Sequence, residues 1–381
     1  MKRIILSVTN DLFSDQRVDK VCNTLTKMGF HVTLVGRRYR NSPKLPARNY
    51  QTKRLHLFFK TGPLFYAEFN LRLFFYLWFK KVDILVANDL DTLLPNVLIK
   101  KIRNKKLVYD AHEYFCGILE IQHRPRIKKI WQHIEKYCFP KTDVVITVSQ
   151  SIAEKYKEEY GKEVAVVRNI PVLHAGAQNF VPQPAPPTCA PQPAPPTRAP
   201  QPEKPVIILQ GNAIHKDRGG EEIIEAMPFI YNATLLVVGQ GDMVPAMQER
   251  VIKLGLQERV TFTGRVTPET LRNYTASADL GIAFDKNVSP NHYYSLPNKL
   301  FEYIHAGTPV ISSNLPERKR IIEQYEVGVV LSDLAPQTVA DAINAILENK
   351  ALLTQLKENC RTAAQELNWE NEEKVVKRLF V

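Results

Sequence analysis

At 381 residues, 44% hydrophobic and 24% charged, the chain has a globular balance and the length for two ordinary domains. No uncharged apolar run approaches the roughly 18–20 residues of a membrane span. The five cysteines (Cys22, Cys116, Cys138, Cys189 and Cys360) are scattered without metal-ligand spacing, which excludes a disulfide scaffold or zinc module and fits a reducing cytoplasm.

The N-terminal Met1–Val8 is too short in its apolar part for a secretory signal and reads as a first strand. From there strands and helices alternate. Strands are expected at Arg3–Val8, His31–Gly36, Asp83–Ala87, Lys106–Asp110, Asp143–Val148 and Val164–Arg168. Amphipathic helices are expected at Val18–Met28, Ala67–Lys80, Leu93–Ile102 and Ile127–Phe139. Short apolar strands separated by helices predict a parallel sheet covered on both faces.

Residues 182–199 break the pattern with a tandem repeat, Pro-Gln-Pro-Ala-Pro-Pro-Thr-Cys-Ala and then the same with Arg for Cys. Such a segment joins neither sheet nor helix and predicts an extended spacer between domains, with a proline-binding partner site as the other reading. The alternation restarts with strands at Val206–Gln210, Leu235–Gly239, Val260–Thr263, Leu280–Ala283 and Thr308–Ser312. Helices are expected at Gly220–Met227, Val244–Leu254, Pro268–Ala276, from Pro297, and at Pro336–Leu347, Leu352–Leu367 and Trp369–Phe380.

The charge is lopsided. Residues 1–170 hold 31 Lys+Arg against 16 Asp+Glu; the remainder of the totals of 51 and 39 is 20 against 23. A basic half suits nucleic acid, an anionic membrane or an anionic substrate, but no nucleic-acid module is recognisable. Ten of the 35 aromatic residues lie between Phe58 and Phe79, flanked by Arg54, Lys60, Arg72, Lys80 and Lys81, a mixture suited to a membrane interface or to a core helix.

Four features of the second half point at one ligand. Gly211-Asn212 follows a strand and leads through a polar loop to Arg218-Gly219-Gly220 at a helix start; glycine admits a ligand to the backbone and arginine grips a diphosphate bidentately. Leu235–Gly241 is a strand running into a Gly-rich turn, without the third glycine of a dinucleotide fingerprint, since Val244 stands there. Val260–Arg265 ends a strand in Gly264. Ser295–Val310 sets Leu296, Asn298 and Lys299 at a helix N-terminus, where a phosphate is favoured. Glu302, one turn on, is placed to accept hydrogen bonds from ribose hydroxyls.

In this order and spacing the chain resembles the retaining GT-B glycosyltransferases of family 4, group 1 type. Val108-Tyr-Asp-Ala-His-Glu113, Asp15-Gln-Arg-Val18 and Asn368-Trp369-Glu370 extend the resemblance through the first half and the last helix. It implies two Rossmann-like, doubly wound α/β domains facing a central cleft. Residues 1–171 would form an acceptor-side domain with the helix 369–381 packing back on it, residues 172–204 a linker, and residues 205–368 the nucleotide-sugar domain. It implies transfer, with retention, from a nucleoside diphosphate sugar to a glycan or lipid-linked acceptor, as in cell-surface polysaccharide or glycolipid synthesis.

By the same resemblance His112, Arg218 and Lys299 are catalytic, His112 reaching the donor sugar. Gly211, Asn212, Arg218, Gly241, Gly264, Tyr294, Leu296, Asn298, Lys299 and Glu302 contact the donor. Tyr294 stands where the family's Glu-x7-Glu motif has its first glutamate, and Asn212 where an arginine is frequent. No metal or cofactor and no nucleic-acid partner is expected. The expected place is the cytoplasm, with a peripheral position on the inner face of a membrane. Other readings of the chain are a sugar-nucleotide epimerase on the same fold and a basic nucleic-acid- or membrane-binding non-enzyme.

Overall fold

The computed structural model describes residues 1–13, 15–173, 204–211 and 213–381; the Pro-rich repeat, Cys189 and Asn212 lie outside the described residues. The chain divides into two units. One comprises Met1–Asn169, Ser289–Ser295 and Glu370–Val381; the other comprises Ile170–Val288 and Leu296–Trp369.

The first unit is built on a seven-stranded sheet of β1 (Arg3–Ser7), β2 (His31–Arg38), β3 (Gln51–His56), β4 (Ile84–Asn88), β5 (Lys106–Ala111), β6 (Val144–Thr147) and β7 (Ala165–Val166). Its spatial order is 3-2-1-4-5-6-7 and every pairing is parallel. Central strands such as Ile84-Leu-Val-Ala-Asn88 are buried at every position, as helices on both faces require. Strand β3 was not expected. It is an edge strand, Gln-Thr-Lys-Arg-Leu-His, with Leu55 alone buried, so it lacks the apolar alternation that marks a strand. Helix Gln150–Tyr160, also unanticipated, is started by Ser149 and ended by Gly161 at φ +64°.

The second unit has a six-stranded parallel sheet of β8 (Val206–Gly211), β9 (Thr234–Gly239), β10 (Val260–Gly264), β11 (Leu280–Ala283), β12 (Val310–Ser313) and β13 (Gly328–Leu331), in the order 10-9-8-11-12-13. The predicted strand at Thr308 begins two residues later. Strand β13 and helices Pro290–Tyr294 and Pro316–Tyr325 add to the expected elements.

In both sheets the chain reverses its winding beside the first strand: β1 lies between β2 and β4, β8 between β9 and β11. Carboxyl-end loops part at such a switch point, leaving a crevice for ligands. The register Asn88↔Asp110 brings the ends of β4 and β5 level, and Gly211↔Gly239 does the same for β8 and β9.

Candidate functional site

In the second unit, the chain leaves β11 through Phe284 into Asp285, whose side chain is fully buried. Three cations surround it. Arg218 Nη1 lies 3.0 Å from Oδ1, Lys299 Nζ 3.3 Å from Oδ2 and Arg318 Nη2 3.0 Å from Oδ2. Burial alone would raise the Asp285 carboxyl, but Lys299, Arg318 and Arg218 outweigh it and hold the group well below the usual carboxylate range. Burial lowers Lys299, with Asp285 opposing, and burial also lowers Arg318.

The three cations differ in access. The Arg318 side chain is wholly excluded from solvent, Lys299 is 12% exposed and Arg218 is 38% exposed. Arg318 thus anchors Asp285, while Arg218 and Lys299 keep surface for a ligand. Three positive charges less one negative leave two in excess, the number that the phosphates of a nucleoside diphosphate sugar carry.

Local structure fixes Arg218. Asp217 has φ +64° and Gly219 φ +90°, and a Cβ on Gly219 would stand 2.7 Å from Phe284 Cβ, so the loop lies against the exit of β11. Lys286 donates its N–H to the Asp217 carbonyl (2.9 Å) and pairs with Glu222 (2.5 Å). Lys286 Nζ also lies 3.7 Å from Asp217 Oδ1, so the Asp217 and Glu222 carboxylates face Lys286, and Arg218 pairs with Asp285.

Lys299 and Glu302 come from helix Asn298–Ala306, which starts after Pro297 and stops at Gly307, φ +71°. The Tyr303 ring lies on Gly281, where a Cβ would come within 2.6 Å, and its hydroxyl meets the carbonyls of Ile208 and Ile282. This fastens the helix to β8 and β11. Half-buried Glu302 accepts from Gln210 Nε2 (2.6 Å), and Gln210 Oε1 accepts from Thr275 Oγ1 (2.7 Å), so the carboxylate is held by a relay beneath the end of β8.

The glycines divide. Gly241 is required by packing, since its Cβ would lie 2.0 Å from the Ile214 carbonyl oxygen. Gly264 is required by φ +68°. Gly211 has neither reason among the described residues: a Cβ there meets nothing closer than 3.8 Å. Leu296 is buried in the second unit's core.

In the first unit, His112 follows β5. Its backbone N–H donates to Asp89 Oδ1 (2.8 Å), Nδ1 is 3.4 Å from Asp89 Oδ2, and Nε2 is 3.5 Å from Asp110 Oδ2. Burial would lower the imidazole, but Asp89 and Asp110 outweigh it and push it up to about 9, so it is charged at neutral pH. Arg17 donates to Asp110 Oδ1 and to the Val167 carbonyl, both at 2.6 Å. Burial would raise Asp110, yet Arg17 and His112 hold it below the ordinary range. Asp89 sits at φ +61°, a conformation that a non-glycine residue adopts at a cost of roughly 1–3 kcal/mol and that recurs at functional sites. Asp91, one residue into the next helix, is pushed up to about 8 by burial and by Asp89. Glu113 is pushed up to about 7 by burial and by Asp89, and accepts from Asn291 (2.9 Å).

Tyr294 belongs with this unit. Its ring meets Tyr114 edge-on with centroids 6.2 Å apart, and its carbonyl accepts from Ser149. The structure thus gathers Arg218, Lys299, Glu302 and Gly211 around the switch point of the second sheet, and puts His112 and Tyr294 in the first unit. Asp285, Arg318, Gln210 and Asp89 escaped the sequence reading as site residues, and Arg17 entered it within Asp15-Gln-Arg-Val18 without a role. Asp285 left one signal, a carboxylate two residues past a strand's carboxyl end. Arg318 left none, because its helix was not anticipated.

The Glycosyltransferase Family 4 model matches residues 15–170, and the model of Glycosyl transferases group 1 matches residues 195–365. The chain is 28% identical over 158 residues to the uncharacterized glycosyltransferase MJ1607 of Methanocaldococcus jannaschii, a match spanning 40% of this chain and 39% of that protein. To the uncharacterized glycosyltransferase MJ1069 of the same organism it is 23% identical over 323 residues, 81% of this chain and 77% of the relative. The crystal structure of Anabaena Alr3699/HepE in complex with UDP and glucose has the same fold, with a TM-score of 0.70 at 14% identity and coverage of 100% and 99%. With one glycosyltransferase model on each half and two parallel α/β units beneath them, the chain is a GT-B glycosyltransferase of the group 1 and family 4 type.

Proposed function

We propose that the chain moves a glycosyl group, with retention of anomeric configuration, from a nucleoside diphosphate sugar to a hydroxyl of a glycan or lipid-linked acceptor, in the synthesis of a cell-surface polysaccharide or glycolipid. The observation that carries this reading is the group of Arg218, Lys299 and Arg318 on buried Asp285, with Glu302 on the same helix as Lys299. The UDP and glucose held by HepE agree with the donor class.

The reaction breaks the anomeric C–O bond and leaves a nucleoside diphosphate, so negative charge grows on the leaving phosphate. Arg218 and Lys299 are already in place when it does, and one preorganised donor contributes about 3–4 kcal/mol at such a centre. Asp285 holds both cations in position, so the transition state need not reorganise them. The acceptor oxygen bonds to the anomeric carbon on the face the phosphate leaves, and its proton passes to a departing phosphate oxygen. Charge neutralisation falls to side chains, with no divalent cation required. Glu302 accepts from the ribose hydroxyls, Gly211 admits the donor to the backbone, and the His112 imidazolium serves the transferred sugar.

Titration calorimetry with a panel of nucleoside diphosphate sugars tests the donor assignment. One nucleotide class should bind, and Glu302→Ala should weaken it by at least about tenfold. No heat from any member of the panel defeats the assignment. Product analysis by NMR separates retention from inversion.

A further inference from the structure

We infer that the first unit carries a docking surface for an anionic phospholipid bilayer, built from the outer face of helix Gly62–Phe79 and a basic cavity beside it. This stands apart from the donor reading, and a chain that bound no nucleotide sugar would still show it.

The helix buries Phe65, Phe69, Leu73 and Leu77, four residues apart, against the sheet. The opposite face of a surface helix is ordinarily charged. Here it presents Leu64, Leu71, Phe75 and Trp78, continued by Phe79, each between 42% and 77% exposed. The only charged residues in its 18 positions are Glu68 and Arg72, which pair with each other at 2.8 Å. Glu68 also accepts the backbone N–H groups of Phe58 and Phe59, which draws that turn onto the helix and leaves the Phe58 ring 83% exposed. The exposed apolar band therefore extends from Phe58 to Phe79, with the Glu68–Arg72 pair inside it. It is too short and too interrupted to cross a bilayer, and among the described residues no helix is long and apolar enough to do so.

At the Phe59 end the band meets a cavity of about 340 Å³ lined by Arg37, Arg38, Arg40, His56, Phe59 and Lys60. None of its cations forms an ion pair among the described residues. Arg37 donates to the Lys60 carbonyl and stacks on Tyr39 and Phe65, and Arg38 lies 3.4 Å from His56 Nε2. The acids nearest Arg37 are already engaged, Asp11 by Arg54 and Asp91 by Thr9. Lys80 and Lys81 follow the helix at its other end. An apolar band with cations at both ends matches the surface of an anionic bilayer, where the band enters the headgroup and acyl boundary and the cations meet headgroup phosphates. A second copy of the chain fits poorly, since face-to-face pairing brings two like-charged rims together.

Flotation of the whole chain with vesicles tests the surface, using phosphatidylcholine alone and phosphatidylcholine with phosphatidylglycerol at low salt. The protein should float with the anionic vesicles and stay behind with the neutral ones. Leu71→Ser/Phe75→Ser should lower binding by at least about tenfold, and Arg38→Glu/Arg40→Glu should remove the preference for phosphatidylglycerol. Both pairs lie on exposed positions, and circular dichroism melting would verify that the variants remain folded. A wild-type chain that ignores anionic vesicles overturns the inference. So does equal binding by folded variants, or sedimentation as a dimer that Leu71→Ser/Phe75→Ser dissociates.

Discussion

Asp285 and Arg318 form an ion pair wholly shut off from solvent, with Oδ2 and Nη2 3.0 Å apart and both side chains 0% exposed. Arg318 Nη1 is held as well by Ser313 Oγ at 3.1 Å. A buried pair gains little net stability over apolar packing, because desolvating two charges offsets most of their attraction. Its physical consequence is positional. With one oxygen of Asp285 held from below, the carboxylate has a fixed orientation, and Arg218 and Lys299 are fixed by it in turn.

Arg318→Met is the direct test of that arrangement. It removes a charge that no ligand can reach, and leaves Asp285 to draw Arg218 and Lys299 inward. A loss of about 3–5 kcal/mol in urea unfolding is expected, the usual cost of breaking a buried pair from one side. Calorimetry should also show donor affinity reduced by about tenfold. Unchanged affinity in the folded variant would mean that Arg318 matters to stability alone.

Arg218→Ala should behave in the opposite way. Its side chain is over a third exposed, and Asp285 keeps two partners without it. Stability should change by no more than about 1 kcal/mol. The turnover number should fall by about 10²–10³, the range for removing one donor to developing charge. Stopped assays of product formation at saturating donor would read this.

These side chains show what the sequence yielded and what it withheld. Strands such as Ile84–Asn88 and Leu280–Ala283 were legible because full burial writes itself as an unbroken apolar run. Edge strand β3 was not, since its exposed residues are free to be polar. Lys299 and Glu302 were legible because helix start, cation and carboxylate share one short segment. Asp285 and Arg318 are separated by 33 residues and meet only through folding, and neither has a local pattern that announces burial. Tyr294 shows the converse. A motif position can be counted from Glu302, but the sequence does not say which unit the residue joins.

Glu302 should discriminate sugars of the nucleotide itself. Its Oε2 accepts from Gln210 Nε2 at 2.6 Å, which fixes the orientation of the carboxylate that is to receive hydroxyl donors. Glu302→Gln keeps an acceptor and loses the charge, so affinity for the bound nucleotide should fall by about tenfold, and by more in Glu302→Ala. The informative comparison is with the 2′-deoxy nucleotide. Wild type should prefer the ribo form, and Glu302→Ala should bind both alike; a preference that survives the substitution would place the ribose elsewhere.

The first unit makes a prediction in pH. His112 is raised from about 6.5 to about 9. The folded chain therefore binds its proton more tightly than the unfolded chain does. The stability this contributes is fully present below pH of about 6.5 and is lost as pH rises through about 9, amounting to on the order of 3 kcal/mol. Asp91, raised to about 8 by burial and by Asp89, acts with the same sign in a lower window. Its carboxyl keeps a proton in the folded chain that the unfolded chain has released, so stability drains away between pH of about 4 and 8. Chemical denaturation across the pH range should thus show stability falling in two overlapping stages between pH of about 4 and about 9. His112→Gln should flatten the upper stage, and Asp91→Asn the lower, while Asp91→Asn should be the more stable chain at pH of about 8, where wild type bears the full cost. If both variants keep the wild-type slope, the two carboxylates and the imidazole do not form the charged group described here.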